Sequence, residues 1–466
     1  MEHIVFLTGR LAEASLRKVL GAIGDGAEDA PFSWEVREIG LQVAGLMTAD
    51  MVRRRVAAPL AADRIMVPGR CRGDLAALAT HYGIPVERGP EELKDLPRHF
   101  KRAELAVDLS QHDIAIFAEI VDAPQRGVAS IVARAHELKR DGADVIDLGC
   151  LPATEFPHLE DAVRALKAEG FAVSVDSLDS DELRRGGHAG ADWLLSLSID
   201  TIGIADEVAS KVVLIPRTPG DTESLHAAIA EMRKRGRGFL ADPILEPVPY
   251  GFTASIVRYH ALRERDPDAP MMIGIGNLTE LIEADTSGIN AVLFGIAELR
   301  ASAVLATEVS RHARRAVAEA DLARRIMFAA RETQSLPKGL SDDLMTVHHT
   351  RPFPDTPEEI AANAAAVRDP NFRVQVADDG VHVYNRDGHH VAPDAFALWP
   401  KLKLEDDAAH AFYMGAELAK AEIAWRLGKR YVQDQPLDWG VAVPREAENL
   451  DSWCAPGTTL RDRKQE

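Results

Sequence analysis

The sequence predicts an α/β protein built around a central (β/α)8 barrel, known as a TIM barrel. Between residues 113 and 330, eight short apolar runs rich in β-branched residues alternate with segments of helical periodicity. This stretch is close to the ~250 residues typical of such a barrel. Polar residues directly follow most of these runs, at the positions where a barrel carries its ligand site. A doubly wound open sheet is the alternative, because it shows the same alternation.

The predicted barrel strands are short and separated by helices or crossovers. They are Ile114–Ile120, Val145–Leu148, Ala172–Asp176, Trp193–Leu197, Val212–Ile215, Phe239–Ala241, Met272–Ile275 and Val304–Thr307. The clearest helix covers residues 127–140, where Ile131, Ala135 and Leu138 share one face and Gly142 marks the end. The barrel domain is therefore expected over residues 111–335.

Residues 1–110 predict an N-terminal α/β domain of Rossmann or flavodoxin-like type. Its first and third strands are each followed by a glycine-containing turn and a helix, a combination that can bind an anion at the helix N-terminus. Arg10, Arg70 and Arg72 lie beside these turns. Neither turn matches a dinucleotide or P-loop fingerprint, so turn glycines with solvated arginines are the other interpretation.

Residues 336–466 predict a small C-terminal α+β domain that covers the barrel or pairs subunits. A β-hairpin is expected over residues 371–385, with its turn at Asp378–Gly380. A long helix is expected from Asp406 to Arg430. The paired histidines of this region lack a neighbouring cysteine or a histidine at helical spacing, so no metal site is predicted there.

The composition is that of an acidic globular protein. The chain has 466 residues, of which 46% are apolar and 27% charged, and its net charge is −19. Because it has no basic excess, nucleic acids and anionic membranes are not expected as partners. No run approaches the ~20 apolar residues of a membrane span, and the first residues do not resemble a signal peptide. With three widely spaced cysteines, these features predict a cytoplasmic protein.

Residues 142–177 carry the strongest indication of a ligand site. They form a predicted βαβ unit in which the strands end on Asp147 and Asp176. Parallel strands deliver their following loops to one edge of the sheet, and a carboxylate at the end of a buried strand needs a polar partner there. A single aspartate would be explained by capping of the next turn. Two in succession, with a third candidate at Asp242, favour a ligand site.

In a barrel, the residues just past all strand ends converge on one mouth. These positions hold mainly acids, amides, hydroxyls and arginines: Glu119, Asp122, Asp147, Cys150, Asp176, Ser177, Ser196, Ser198, Arg217, Asp242, Gly276, Asn277, Glu308, Ser310 and Arg311. Carboxylates suit a ligand rich in N–H groups, because a guanidine-like edge donates two parallel hydrogen bonds to one carboxylate.

Five segments, taken in order, resemble the pterin-binding family of dihydropteroate synthases and methyltetrahydrofolate–corrinoid methyltransferases. They are residues 142–149 (GADVIDLG), 173–177 (VSVDS), 190–196 (GADWLLS), 242–243 (DP) and 273–277 (IGIGN). With its extra N- and C-terminal parts, the whole chain is similar to the dihydropteroate synthase-related proteins of organisms that make tetrahydromethanopterin.

This resemblance implies roles for the residues at the mouth. Asp176 and Asp242 would be the catalytic residues, which hold the pterin ring through its 2-amino and ring N–H groups. The implied substrate-binding residues are Glu119, Asp147, Ser196, Arg217, Asn277, Glu308 and Arg311. Among these, Arg217 and Arg311 would contact phosphate groups, with Arg10, Arg70 or Arg72 as alternatives if the N-terminal domain folds over the mouth.

The chain departs from the folate-making members of this family. Leu151–Thr154 stands where they carry Ser-Thr-Arg-Pro, Gly276–Thr279 where they carry Ser-Arg-Lys, and Ala306–Glu308 where they carry Arg-x-His. The resemblance therefore implies a transferase of tetrahydromethanopterin biosynthesis, within one-carbon metabolism. It would condense 6-hydroxymethyl-7,8-dihydropterin diphosphate with 4-(β-D-ribofuranosyl)aminobenzene 5′-phosphate and release diphosphate.

The resemblance also bears on cofactors and partners. No tightly bound cofactor and no resident metal are implied, although Mg²⁺ can accompany the diphosphate substrate. The partners would be the dihydropterin diphosphate and the phosphorylated arylamine, and a homodimer is expected. Two other classes remain open. One is a pterin-dependent methyltransferase, because residues 276–279 (GNLT) resemble the corresponding segment of the corrinoid methyltransferases. The other is a non-catalytic pterin-binding protein.

Overall fold

The computed structural model describes residues 2–24, 32–91, 93–97, 99–100, 108–296, 301–445 and 450–451. Its contacts divide the chain into two compact units. The first unit combines Met1–Val107, Val347–Asp438 and Arg445–Glu466, and the second contains Asp108–Thr346 and Trp439–Pro444. The sequence predicts separate domains over 1–110, 111–335 and 336–466, whereas these contacts group most of the first and last segments in one unit. An ion pair from Arg430 to Asp95 is one of the links inside that unit.

The N-terminal part of the first unit is a four-stranded parallel sheet with the order β2-β1-β3-β4. Its strands are β1 (Glu2–Thr8), β2 (Phe32–Glu38), β3 (Arg64–Val67) and β4 (Val86–Arg88), and its helices are α1 (Arg10–Gly24), α2 (Ala49–Arg55) and α3 (Leu75–Tyr82). Val5 and Leu7 pack into one apolar cluster, while Ile4 and Phe6 pack into another. Successive residues of β1 thus bury opposite faces of the sheet, as expected for a sheet covered on both sides.

The second unit is a closed barrel of eight parallel strands, which confirms the predicted fold class. The strands are β5 (Ala115–Ile120), β6 (Val145–Gly149), β7 (Ala172–Asp176), β8 (Trp193–Leu197), β9 (Lys211–Leu214), β10 (Phe239–Ala241), β11 (Met271–Gly274) and β12 (Ala301–Thr307). Each pairs with its neighbour in the chain, and β12 pairs with β5 to close the ring. The open-sheet alternative is therefore wrong.

Helices surround this barrel and bury the outward-facing strand residues. They are α4 (Val128–Arg140), α5 (Leu159–Ala168), α6 (Ser180–Ala189), α7 (Ile204–Glu207), α8 (Thr222–Lys234), α9 (Phe252–Arg265), α10 (Gly276–Thr279), α11 (Thr286–Ile296) and α12 (Ala316–Glu332). The barrel interior is filled by a separate apolar cluster of Phe117, Val145, Leu195, Val213, Leu240, Met272 and Ala303. The interior is thus packed, as in other barrels of this size. Within the described residues, no helix has the length and apolar character to cross a membrane.

The C-terminal part of the first unit is a three-stranded antiparallel sheet with helices. It consists of α13 (Pro357–Ala366), β13 (Arg373–Ala377), β14 (Gly380–Asn385), β15 (Gly388–Ala392), α14 (Ala395–Leu402) and α15 (Ala408–Leu427). The predicted hairpin is present, with Ala377 pairing with Gly380 across its turn. Val374 and Val383 pack with Met414 and Leu418 of α15, so the long helix covers one face of the small sheet.

One buried arginine ties the last barrel helix to the beginning of the barrel. Arg324 of α12 donates to the backbone carbonyls of Ile114 (2.6 Å) and Gly142 (2.9 Å) and to the carboxylates of Asp144 (2.5 Å) and Asp321 (2.6 Å). Its side chain is 1% exposed, so these partners replace the water that the guanidinium loses. A Cβ at Gly142, where φ is +108°, would lie 2.5 Å from the Asp321 side chain, so this junction requires glycine.

We expect Arg324→Met to lower the free energy of unfolding by about 3–5 kcal/mol, because it leaves two carboxylates and two carbonyls without their cationic donor. Urea denaturation followed by circular dichroism measures this. Arg314→Met is the matched control, since Arg314 is exposed, and it should change the stability by no more than about 0.5 kcal/mol. Equal stabilities of the two variants would contradict the role assigned to Arg324.

Candidate functional site

Three carboxylates meet at the carboxyl-terminal edge of the barrel strands. Glu119 lies near the end of β5, Asp147 lies on β6, and Asp176 is the last residue of β7. One oxygen from each carboxylate lies within 4.8 Å of those from the other two. Strand register explains this convergence, because Glu119 is paired with Asp147, and Asp176 with Gly149. We call Glu119, Asp147 and Asp176 the acid cluster.

Each carboxylate of the acid cluster accepts a hydrogen bond from one hydroxyl. Thr307 donates to Glu119 Oε2 (3.0 Å), Ser174 to Asp147 Oδ1 (2.5 Å), and Ser196 to Asp176 Oδ1 (2.6 Å). Thr307 and Ser174 occupy the register positions next to Glu119 and Asp147 on the neighbouring strands. Ser196 has a φ of +66° and lies where the register between β8 and β9 shifts, so a backbone irregularity brings its hydroxyl to Asp176.

Gly149 makes room for the acid cluster. A Cβ at this position would lie 2.5 Å from Glu119 Oε1 and 3.2 Å from the Cα of Val121. Any larger residue would therefore displace the Glu119 side chain. The apolar run of residues 145–149 thus ends on glycine because the neighbouring carboxylate occupies the space of a side chain.

Burial and mutual repulsion favour the protonated forms of these acids. Burial, followed by repulsion from Asp176, raises the pKa of Glu119 to about 7. Burial raises the pKa of Asp147 well above its usual range, and the charges of Asp176 and Glu119 add to this effect. Burial also raises the pKa of Asp176, although the hydrogen bond from Ser196 opposes the increase. The acid cluster therefore retains protons near neutral pH.

The acid cluster can both donate and accept hydrogen bonds. Asp147 is fully buried, and among the described residues its Oδ2 has no hydrogen-bond partner. A buried acceptor without a hydrogen-bond partner is energetically unfavourable, and a ligand proton, a shared proton or a cation would satisfy it. Carboxylate oxygens are also the ligands that Mg²⁺ prefers. The cluster thus has the chemistry either to hold an N–H-rich edge or to bind a divalent cation.

Asp242 follows β10 and is positioned by two donors. Its Oδ1 accepts hydrogen bonds from the amide of Ile244 (2.7 Å) and the hydroxyl of Tyr259 (2.5 Å). Burial raises the pKa of Asp242 to about 6, while these hydrogen bonds oppose the shift and the charge of Asp176 adds to it. Tyr259 lies on α9, and the sequence did not mark it because its distance from Asp242 along the chain hides their contact.

The loop after β10 is held by contacts from both sides. Asn277, at the start of α10, donates to the carbonyl of Leu245 (2.6 Å). Arg258 donates to the carbonyl of Ile244 (2.9 Å) and to Glu246 (2.8 Å). Asn277 was predicted to bind substrate, and its amide is here used to position this loop. Its role in binding remains a prediction.

Three other predicted site residues have different surroundings. Glu308 accepts hydrogen bonds from Arg134 (2.5 Å) and from the amide of Val317 (2.9 Å), and its side chain is 1% exposed. Arg217 forms an exposed ion pair with Asp200 (2.7 Å), and Arg311 is exposed in a short 3-10 helix. Glu308 is turned towards α4 because it follows the inward-facing Thr307, and successive strand residues alternate in direction.

Raised carboxyl pKa values predict a pH dependence of stability. The pKa of Glu119 is about 7 in the folded protein, against 4.5 for an unperturbed glutamate, so the folded state binds this proton more tightly than the unfolded state. The Glu119 contribution to stability is therefore present below pH 4.5 and is lost as pH rises through about 7. Glu119→Gln should abolish this loss, worth about 3 kcal/mol.

Melting temperatures of wild type and Glu119→Gln between pH 5 and pH 8 measure this effect. Wild type should lose more thermal stability across this range than the variant does. Glu155→Gln is the matched control, since Glu155 is exposed, and its profile should follow wild type. Parallel profiles for wild type and Glu119→Gln would show that Glu119 is ionised without cost in the folded protein.

Comparisons with known proteins match a family model to the N-terminal residues and a relative to nearly the whole chain. A family model described as "Family of unknown function (DUF6513)" matches residues 2–91. An uncharacterized protein of Methanocaldococcus jannaschii is 25% identical over an alignment of 528 positions, which covers 93% of this chain and 98% of the relative. This chain is therefore similar to that protein over nearly its whole length.

Solved structures similar to this chain include dihydropteroate synthases. The enzyme from Xanthomonas albilineans, in complex with 7,8-dihydropteroate, is 20% identical, covers 49% of this chain and 96% of its own, and has a TM-score of 0.38. The enzyme from Coxiella burnetii, in complex with pteroic acid, is 17% identical, with 48% and 94% covered and a TM-score of 0.40.

Proposed function

We propose that this protein is a pterin-binding transferase of the dihydropteroate synthase type. It would join 6-hydroxymethyl-7,8-dihydropterin diphosphate to 4-(β-D-ribofuranosyl)aminobenzene 5′-phosphate in tetrahydromethanopterin biosynthesis. The observation that supports this best is the convergence of buried carboxylates with raised pKa values, the acid cluster and Asp242, at one barrel mouth. The homodimer belongs to the same proposal, and so does the cytoplasmic location, which the three widely spaced cysteines favour.

The pterin ring would bind through its edge. The 2-amino group and ring N–H present adjacent donors, and a carboxylate accepts two such bonds in parallel. Asp176 and Asp242 would take these roles, because both lie at strand ends and the charge of Asp176 contributes to the raised pKa of Asp242. Ser196 and Tyr259 would hold the two carboxylates in place through the hydrogen bonds of 2.6 Å and 2.5 Å. The low polarity around them strengthens each bond to the ring.

The reaction exchanges one bond at the pterin methylene carbon. The arylamine nitrogen forms a C–N bond, the C–O bond to diphosphate breaks with its electron pair on oxygen, and the nitrogen loses a proton. Glu119 is suited to accept this proton, since its pKa of about 7 lies near neutral pH. Positive charge must meet the departing diphosphate. Arg311 is an exposed candidate for that contact, whereas Arg217 would first have to leave Asp200.

The acid cluster also fits Mg²⁺ as a companion of the diphosphate. One oxygen from each carboxylate lies within 4.8 Å of those from the other two, and Asp147 Oδ2 has no hydrogen-bond partner in the described part of the chain. Glu119, Asp147 and Asp176 would hold the ion, which would supply positive charge against the diphosphate. In that arrangement Asp176 and Glu119 would bind the ion, so the pterin edge would be left to Asp242 and the arylamine proton would pass to solvent.

A second candidate function is methyl transfer from a pterin, which the sequence Gly276–Thr279 favours because it resembles the corrinoid methyltransferases. A third is pterin binding without catalysis. Neither needs a site for diphosphate, so the three candidates differ in the products they form.

Asp242→Asn should weaken binding of 6-hydroxymethyl-7,8-dihydropterin diphosphate by at least about tenfold, because loss of one carboxylate removes a charge-assisted pair of hydrogen bonds. Isothermal titration calorimetry measures the affinity. Asp161→Asn is the control, since Asp161 lies on an exposed face of α5, and its affinity should equal that of wild type. Unchanged affinity in Asp242→Asn would refute the assignment of Asp242.

Product analysis separates the three candidate functions. The pterin diphosphate and the ribosylated aminobenzene phosphate are incubated with the protein, with and without Mg²⁺ and with EDTA. The proposed transferase yields one condensed pterin and one diphosphate per turnover, and requires both substrates. A Mg²⁺ requirement that Glu119→Gln weakens would place the ion in the acid cluster. Pterin binding without diphosphate release would overturn the transferase in favour of one of the other candidates.

A further inference from the structure

A large cavity opens at the carboxyl-terminal edge of the four-stranded sheet in the first unit. Its volume is about 1610 Å³, and Thr8, Pro68 and Gly69 at the ends of β1 and β3 line it. These two strands are neighbours where the strand order changes direction, since β2 lies beyond β1 and β4 lies beyond β3. In open parallel sheets, ligands bind in the crevice at such a switch point.

Hydrogen bonds hold the rim of this cavity in place. The amide of Ala49 donates to the carbonyl of Arg72 (2.7 Å), and the amide of Arg72 donates to the carbonyl of Met47 (3.1 Å). The guanidinium of Arg88 donates to the carbonyl of Cys71 (2.8 Å). The loops after β3 and before α2 are therefore joined, and the crevice is formed before any ligand arrives, as ligand sites usually are.

Four apolar side chains form part of the cavity lining, which we call the apolar wall. They are Leu11, Val43, Leu46 and Met51. Leu46 is 53% exposed. An apolar wall of this kind within a deep crevice suits the flat face of a planar ring.

Cationic side chains line the same cavity beside this wall. Arg54, Arg70 and Arg72 are among the lining residues. Arg70 donates to Glu91 at 3.3 Å, an exposed contact that a bound phosphate could share. Arginine forks match phosphate geometry with two parallel hydrogen bonds.

The N-terminus of α1 does not supply this phosphate contact. The amides of Arg10 and Leu11 donate to the carbonyls of Leu41 (2.7 Å) and Gln42 (3.1 Å). A Cβ at Gly9 would lie 2.8 Å from the amide nitrogen of Ala44. Of the two interpretations of this turn, the structure therefore supports the structural one, and any anion must be bound by the arginine side chains.

Acceptor groups complete the lining. The carboxylates of Asp355 and Glu359 line the cavity, together with Gln375 and Tyr384, and Glu359 Oε2 also accepts a hydrogen bond from the amide of Thr356 (3.0 Å). Tyr384 donates to Gln375 (2.7 Å), which donates to Asp355 (2.9 Å), so these polar groups form a connected chain. Carboxylates in such a place suit the hydroxyl groups of a sugar.

We propose that this cavity binds a nucleotide, at a site separate from the barrel mouth. The planar base lies on the apolar wall of Leu11, Val43, Leu46 and Met51. The phosphates contact the arginines, and the ribose hydroxyls donate to the carboxylates. This combination of apolar, cationic and acceptor groups matches the three parts of a nucleotide, and the volume exceeds the ~300–1,000 Å³ of ordinary ligand pockets.

The test is titration of the full-length chain with mant-ADP, an ADP that carries a fluorescent group, followed by displacement with unlabelled ADP. Wild type should bind one equivalent saturably. Gly45→Phe should weaken binding at least about tenfold, because Gly45 lines the cavity and a Cβ there meets nothing within 4 Å. The added side chain would then extend into the cavity, where the proposal places the base.

Two neighbouring arginines give a matched pair of charge variants. Arg54→Gln should weaken mant-ADP binding by about three- to tenfold, whereas Arg53→Gln should leave it unchanged, since Arg54 lines this cavity and Arg53 does not. An unchanged melting temperature in Gly45→Phe shows that the variant is folded. Asp242→Asn should bind mant-ADP like wild type, so failure of the pterin proposal leaves this one standing. Absence of saturable binding at about 1 mM nucleotide, or equal binding by Gly45→Phe and wild type, would overturn the proposal.

Discussion

The pairing of β12 with β5 is the interaction on which the barrel and its mouth depend. It runs from Ala303 opposite Ala115 to Thr307 opposite Glu119, and it removes the two edges that an open sheet would leave. The same pairing brings the Thr307 hydroxyl to Glu119 at 3.0 Å. At the other end of the strands, Arg324 binds the carbonyl of Ile114 and holds the last helix against the first strand. Closure of the ring is thus secured at both ends, and one end is the candidate site.

The site is built from groups that oppose folding. Glu119, Asp147 and Asp176 are buried together, and burial raises the pKa of each. Two nearby residues, Ser196 and Ile244, have positive φ values of +66° and +68°, which residues other than glycine rarely adopt. Unfavourable electrostatics and backbone strain in one place are typical of sites retained for binding or catalysis. The packed barrel interior and the helical layer around it offset these costs.

The strands were predictable because each is an apolar run bounded by helices. Seven of the eight observed barrel strands begin within one residue of the predicted start. The exception, β12, begins three residues earlier, at Ala301. The position of Asp176 at the end of β7 followed from the same pattern, whereas Asp147, predicted to end its strand, lies in the middle of β6, which continues to Gly149. The contacts of Ser174, Thr307 and Tyr259 did not, since serine, threonine and tyrosine occur throughout the chain. The direction of the Glu308 side chain could not be predicted either. The sequence places this residue beside a strand end, but its direction depends on where Thr307 faces.

The sequence by itself determined which residues form strands and helices, because hydrophobic periodicity and glycine stops act locally. It also determined that acids would follow successive strands in the stretch from Gly142 to Ser177. Only the tertiary structure decided that eight strands close into a ring and that one oxygen each of Glu119, Asp147 and Asp176 lies within 4.8 Å of the other two. It alone also placed a separate cavity at the edge of the N-terminal sheet. These features arise from strand register and from contacts between residues far apart in the chain, whose energies depend on the three-dimensional environment and not on local sequence.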